Sequence, residues 1–245
     1  MNVVLLGATK GIGRAVARRL ALRGDRLVLL GRDPEDLGRS AADLDVRAGR
    51  SVVAATVPCD LADPAGFEPA LAAAAAALGR IDAVIVTAAD FATQEALEAD
   101  LERCRSLLTI NFAHTVVFCE HARRFLLPHG GTLCVVSSVA GDRGRKPVVL
   151  YGASKAGLSA YLEGLDHRYR SAGLKVVCIK PGFVKTSMTA GLRPPPFAGE
   201  PAQVARDIVR AIDRGTPVVY TPWPWRFVMH VIRRLPRDVM RRVGF

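Results

Sequence analysis

Tyr151 and Lys155 stand four residues apart in Tyr151-Gly152-Ala153-Ser154-Lys155, a spacing that puts both side chains on one helical face. An ammonium held beside a phenol favours the phenolate, so the pair reads as an acid tuned downward from the ordinary phenol value of about 10. Such an acid can deliver a proton to an oxygen that is gaining negative charge. Thirteen residues upstream, Ser138 stands at the end of the apolar run 133–136, where doubly wound folds place residues that touch a ligand. The histidines and cysteines carry no comparable pattern. His114 and His121 lie seven apart without a third ligand, and Cys59, Cys104, Cys119, Cys134 and Cys178 form no C-x-x-C pair. Neither a metal site nor a disulfide framework is expected.

A second set of residues points to an anionic ligand. The run Gly7-Ala8-Thr9-Lys10-Gly11-Ile12-Gly13 follows an apolar strand and opens a helix. Glycine is needed where φ is positive and where a Cβ would block a pyrophosphate, and the helix N-terminus offers free N–H groups. Dinucleotide binding follows. Where an NAD-binding chain places a carboxylate at the end of its second strand, this one reads Leu29-Leu30-Gly31-Arg32. A guanidinium there can bind a ribose 2′-phosphate through paired charge-assisted hydrogen bonds, which favours NADP(H). Lys10 adds a second positive charge that can reach the same phosphate. Asp33, next to Arg32, can instead pair with it, and that keeps NAD(H) open.

These residues need a scaffold that gathers strand ends. Apolar runs at 2–6, 26–30, 51–57, 82–87, 132–137, 174–180 and 216–221 predict seven strands. Helical segments such as 12–23, 64–78, 95–127 and 152–172 separate them, and the alanine run 72–77 reads as a helix packed on the sheet. Continuously apolar strands joined by helices form parallel sheets covered on both faces. The expected fold is therefore α/β, a Rossmann-like doubly wound parallel sheet of about seven strands. The chain has 245 residues, 50 % of them hydrophobic and 23 % charged, which suits one domain over 1–245 and excludes a disordered tether. No basic leader precedes the first strand and no 18-residue apolar run occurs, so a cytoplasmic protein with reduced thiols is expected.

Together these motifs resemble the short-chain dehydrogenase/reductase family from residue 3 to about 190. The family's glycine motif corresponds to Gly7, Gly11 and Gly13. Its catalytic serine, tyrosine and lysine correspond to Ser138, Tyr151 and Lys155, its catalytic asparagine to Asn111, and its Pro-Gly-x-x-x-Thr loop to Pro181, Gly182 and Thr186. The resemblance implies further cofactor contacts from Thr9, Lys10, Ile12, Arg32, Asp60, Leu61, Ala88 and Val184. It also implies hydride transfer between a nicotinamide and a substrate carbonyl, with reduction the expected direction. Tyr151 would donate the proton, Lys155 would lower its pKa and hold the nicotinamide ribose, and Ser138 would orient the carbonyl oxygen. Asn111 would hold a relay water and Thr186 the carboxamide. Where the family commonly reads Asn-Asn-Ala-Gly after the fourth strand, this chain has Val86-Thr87-Ala88-Ala89, so the Asn that braces this backbone is missing. A similar variation occurs in a branch resembling decaprenylphosphoryl-2-keto-ribose reductases, which the stretch 225–237 also resembles.

Residues 216–245 hold the last strand and a basic tail. The net charge is +11, with 28 Arg against 6 Lys, and residues 226–245 alone carry six Arg and one Asp. Phe227, Val228, Val231, Ile232 and Leu235 predict an apolar helical stripe, with Arg226, His230, Arg233 and Arg234 mostly on the other side. Two destinations stay open for this amphipathic C-terminal extension. One is an anionic membrane surface, on the cytoplasmic face of the inner membrane, contacted through residues 223–245. The other is packing on the catalytic domain or a second subunit, so a homo-oligomer also stays open. The loop Arg193-Pro194-Pro195-Pro196-Phe197 is expected to border the substrate. A lipid-like or polyprenyl-phosphate-linked keto-sugar is the expected substrate, with a soluble small ketone or fatty-acyl compound as the alternative. A dinucleotide sensor without turnover is a further reading. The basic charge lacks a nucleic-acid-binding motif, and aromatics make up only 6 % of the chain, so no nucleic-acid partner is expected.

Overall fold

In the computed structural model, which describes residues 1–243, the chain opens with β1 (Asn2–Leu6), α1 (Gly11–Arg23), β2 (Arg26–Gly31), α2 (Pro34–Ala48) and β3 (Val53–Pro58). It continues through α3 (Phe67–Leu78), β4 (Ala83–Val86), α4 (Gln94–Ala99), α5 (Leu101–Leu108), a π-helical turn at Thr109–His114 and α6 (Thr115–Leu126). There follow β5 (Thr132–Val136), α7 (Val149–Tyr169), β6 (Lys175–Pro181), α8 (Pro201–Arg214) and β7 (Val218–Thr221). Two short helices, α9 (Pro224–Ile232) and α10 (Arg237–Arg242), end the described chain. Gly244 and Phe245, the last residues of the predicted tail, lie outside it.

All seven strands pair in parallel in the order β3-β2-β1-β4-β5-β6-β7. Side chains alternate across a strand, so each strand must be apolar on both sides if both faces are covered. Val4, Leu6, Val28, Leu30, Val84 and Val86 face α3, α6 and α7. Val3, Leu5, Leu27, Leu29 and Ile85 face α1, α2 and α8. Fully burying each such side chain contributes about 1.5–3 kcal/mol before the entropy of ordering is counted.

The helices depart from the sequence expectation in three places. The predicted segment 95–127 is not continuous: the Asp100 side chain accepts a hydrogen bond from the Arg103 amide and restarts the chain as α5. The alanine run packs on the sheet along one side only, with Ala74 buried and Ala72 and Ala73 exposed. In the tail the predicted stripe is split. The face that α9 buries is Trp225, Met229 and Ile232, at spacings of four and three, and it packs on Val139. Of the predicted stripe, Ile232 is buried, Val228 and Leu235 are half-buried, and Phe227 and Val231 are exposed.

Candidate active site

In the sheet order, β1 and β4 are neighbours whose connections leave in opposite directions, which opens a crevice beyond their C-terminal ends. The glycine turn fills one side of it. Gly7 has φ +94°, and a Cβ there would lie 2.6 Å from the Ala88 amide nitrogen. A Cβ on Gly13 would lie 2.0 Å from the Gly7 carbonyl oxygen, so glycine is what lets α1 begin against β1. Gly11, at φ +50°, faces the Thr186 methyl at 3.2 Å. Gly7, Gly11, Ala88 and Thr186 thus form one cradle, onto which the N-terminus of α1 opens without a side-chain cap. That set, with glycine at both ends of the turn and open helix N–H groups beside it, fits the pyrophosphate of a dinucleotide.

The bracing role left open by the missing Asn is filled by Thr87. Its hydroxyl lies 3.1 Å from both the Leu6 and the Gly7 carbonyl oxygens and ties β4 to the glycine turn. At the end of β2, Asp33 does not pair with Arg32. Its carboxylate caps α2, accepting from the amides of Glu35 at 2.9 Å and Asp36 at 3.2 Å. Arg32 is exposed and makes no ion pair among the described residues. Lys10 reaches Asp36 at 3.6 Å instead. Of the other predicted contacts, Asp60 accepts from the Ala62 amide, Ile12 packs on the core, and the Leu61 carbonyl lies 2.6 Å from His114 Nδ1. The Thr9 carbonyl accepts from Arg14 Nε at 2.7 Å.

Across the crevice, Ser138 and Tyr151 meet because two glycines permit it. A Cβ on Gly141 would lie 2.6 Å from the Lys155 carbonyl carbon, and one on Gly152 would lie 2.9 Å from the Ala140 oxygen. The turn after β5 therefore rests directly on α7. Ser138 Oγ accepts from the Ala140 amide at 3.0 Å and stands near enough to the Tyr151 hydroxyl to pull its pKa downward. Phe91 meets the Tyr151 ring edge to face, with centroids 5.2 Å apart. Lys155 is 2 % exposed; its Nζ donates to the Val136 carbonyl at 3.2 Å and lies 5.8 Å from the Tyr151 ring centre. Neighbouring Ser137 is structural, lying against the Lys155 carbonyl and Ser159 Oγ.

The expected lowering of the phenol is not what this arrangement produces. Burial pushes Tyr151 up to about 12, against a smaller downward pull from Ser138, and burial pushes Lys155 down to about 8. Loss of hydration is the largest influence on both groups, and the ammonium spends a hydrogen bond on the Val136 carbonyl. Asn111, fully buried in the π-helical turn, spends both ends of its amide on Asp90: Oδ1 accepts from the Asp90 amide at 2.7 Å and Nδ2 donates to its carbonyl at 2.8 Å. It thereby fixes the connection that carries Phe91.

Two features of the site carried no signal in local sequence. Asp142, in the turn behind Ser138, takes Lys180 Nζ at 2.6 Å and the Tyr220 hydroxyl at 2.7 Å, which joins β5, β6 and β7. Burial and this carboxylate push Tyr220 up to about 12. Gly182 is glycine because the Trp225 ring occupies the space of its Cβ, 2.1 Å from Nε1. Trp225 Nε1 then donates to the Phe197 carbonyl at 3.1 Å and holds the proline loop against α9.

The short chain dehydrogenase profile matches residues 1–196. The chain belongs to the short chain dehydrogenase family. This oxidoreductase is 34 % identical over 242 residues to an uncharacterized oxidoreductase of Mycobacterium tuberculosis, a match covering 98 % of this chain and 96 % of that one. It is 32 % identical over 211 residues to carbonyl reductase family member 4 of Danio rerio, covering 83 % and 87 %. Among solved structures, a variant of actinorhodin polyketide ketoreductase determined with NADPH superposes with a TM-score of 0.80 at 22 % identity, covering 90 % of this chain and 95 % of that one. This last likeness is one of fold. Among the described residues, no group of three or more His, Cys, Asp or Glu is placed to hold a metal ion. No helix among them is long and apolar enough to cross a membrane.

Proposed function

We propose that this dehydrogenase reduces the carbonyl of a lipid-like substrate, such as a polyprenyl-phosphate-linked keto-sugar, with NADP(H) as its cofactor. The observation that carries the reading is the meeting of Ser138, Tyr151 and Lys155 across from the cradle of Gly7, Gly11, Ala88 and Thr186. With its pyrophosphate in that cradle, a bound dinucleotide would supply hydride from C4 of its nicotinamide. The chain's own residues do the rest. Ser138 donates to the substrate oxygen and orients it, and Tyr151 gives its hydroxyl proton to that oxygen as negative charge develops. A phenol held up near 12 stays protonated at neutral pH, which suits an acid in the direction of reduction. Lys155, still cationic below about 8, stabilises the phenolate left behind and holds the ribose. Thr186 holds the carboxamide, and Asn111 fixes the loop on which Phe91 supports the Tyr151 ring.

The guanidinium of Arg32, without an ion-pair partner among the described residues once Asp33 caps α2, supports a 2′-phosphate and hence NADP(H) over NAD(H). The alternative substrate is a soluble small ketone. Oxidation of NADPH and NADH is to be followed with lipid-linked 2-keto-ribose and with simple ketones, for the wild type and Tyr151→Phe. Loss of the acid should lower kcat about 10²- to 10⁴-fold. Near-normal turnover by the variant overturns the assignment, and turnover of simple ketones alone discards the lipid-linked substrate.

A further inference from the structure

The fold leaves the outer face of α9 uncovered. Trp223, Phe227 and Val231 recur every four residues, line one face, and are 66 %, 62 % and 58 % exposed. The Trp223 and Phe227 rings pack edge to face with centroids 5.6 Å apart, so the stripe is already ordered. Large apolar side chains exposed side by side mark an interaction surface. Around the stripe, residues 224–243 hold six arginines against Asp238 alone, and Arg226, Arg233 and Arg234 are exposed. The stripe also borders the loop that flanks the site. Gly199 packs on Pro222, Trp225 holds the Phe197 carbonyl, and the Phe197 side chain is itself exposed.

We infer that this face docks on an anionic lipid surface, with Trp223, Phe227 and Val231 at the level of the headgroups and the arginines on lipid phosphates. Tryptophan suits that boundary because its ring is apolar and its N–H polar. A second copy of the chain is the other occupant an apolar stripe could take. A two-fold contact would set the arginine rim against itself, and like charges across an interface oppose association. The inner face of the same helix, Trp225, Met229 and Ile232, rests on Val139 beside Ser138. A docked α9 therefore turns the loop bearing Phe197 and the mouth of the site toward the lipid. This names the partner of the site proposed above and takes only its purpose from that reading.

The full chain is to be mixed with vesicles of phosphatidylglycerol and phosphatidylcholine, or of phosphatidylcholine alone. Binding is read by co-sedimentation and by tryptophan emission. The anionic vesicles should bind and shift the emission to the blue. Salt at about 0.5 M should weaken binding. The double variant Phe227→Ser/Val231→Ser should bind roughly tenfold less. Its NADPH-dependent reduction of a water-soluble ketone should match the wild type. Equal binding to both vesicle types, or none, overturns the inference. So does a wild-type dimer in sedimentation velocity that the double variant dissolves. Absence of ketone reduction in the wild type counts against the catalytic assignment and leaves the vesicle result standing.

Discussion

Replacing Lys180 with methionine tests the buried pair that sits behind Ser138. The Asp142 side chain is 2 % exposed and that of Lys180 13 %, and one carboxylate oxygen takes the ammonium at 2.6 Å while the other takes the Tyr220 hydroxyl at 2.7 Å. Lys180→Met leaves a buried carboxylate with one neutral donor. Breaking such a pair from one side costs about 3–5 kcal/mol, and the surviving Tyr220 bond places this case near about 3 kcal/mol. At about 2–4 °C per kcal/mol for a chain of this size, Tm should fall by about 6–12 °C. The double variant Asp142→Asn/Lys180→Met removes the stranded charge and should regain about half of the loss or more. Urea denaturation followed by circular dichroism reads this as a change in the midpoint at constant slope. Because Asp142 lies in the turn that carries Ser138, kcat should fall in Lys180→Met while the Kd for NADPH holds. A loss below about 1 kcal/mol, or a double variant no more stable than the single one, would refute the reasoning.

Thr87→Val keeps the shape but deletes the hydroxyl bracing Leu6 and Gly7, so it should cost about 1 kcal/mol and weaken NADPH binding severalfold in isothermal titration. Thr87→Asn should restore much of that binding. Arg32→Ala should raise the KM for NADPH about tenfold and leave that for NADH nearly unchanged, since the guanidinium lies in solvent and its charge-assisted bonds are partly screened. Lys155 has a folded pKa of about 8, below its unfolded value of 10.5. The unfolded chain therefore binds more protons between those values, and stability gains up to about 1.4 kcal/mol per pH unit as pH rises through that window. The urea midpoint of wild type relative to Lys155→Met should rise from pH 8 to pH 10 by this linkage. A relative midpoint that stays flat or falls contradicts the burial of the ammonium.

The strands were legible because burial on both faces demands continuous apolar runs, and all seven lie within about two residues of those runs. The helices were legible face by face. The helical segments legible in the sequence include α3, α6 and α7, the whole of one layer, but only α1 of the other. α2 buries little beyond Leu37 and Leu44, which leaves a weak stripe. α8 repeats buried apolar positions at Val204, Ala205, Ile208, Val209, Ala211 and Ile212, and its period was there to be read. The site was legible where motifs are local, at the glycine turn and at Tyr151 and Lys155. It was opaque where partners are distant: Asp142 lies 38 residues from Lys180 and 78 from Tyr220. The bracing by Thr87 spans 80 residues to Gly7 and needs only a hydroxyl, which no spacing announces.

The π-helical turn at Thr109–His114 makes the placement of Asn111 a matter of counting residues. A wide turn of this kind accommodates one residue more than an α-helical path between the same two ends. Here the Thr115 hydroxyl donates to the Ile110 carbonyl at 2.7 Å, a side chain satisfying an acceptor in the widened turn. Deleting a single residue from this turn would give a more regular helix, and on propensity alone a better one. The flanking helices would keep their places, but the residues left in the turn would each move by one position, about 100° around the axis. The Asn111 amide could then no longer meet both backbone groups of Asp90. Local regularity and a correctly aimed loop are alternatives at this point in the chain, and the fold keeps the irregular one.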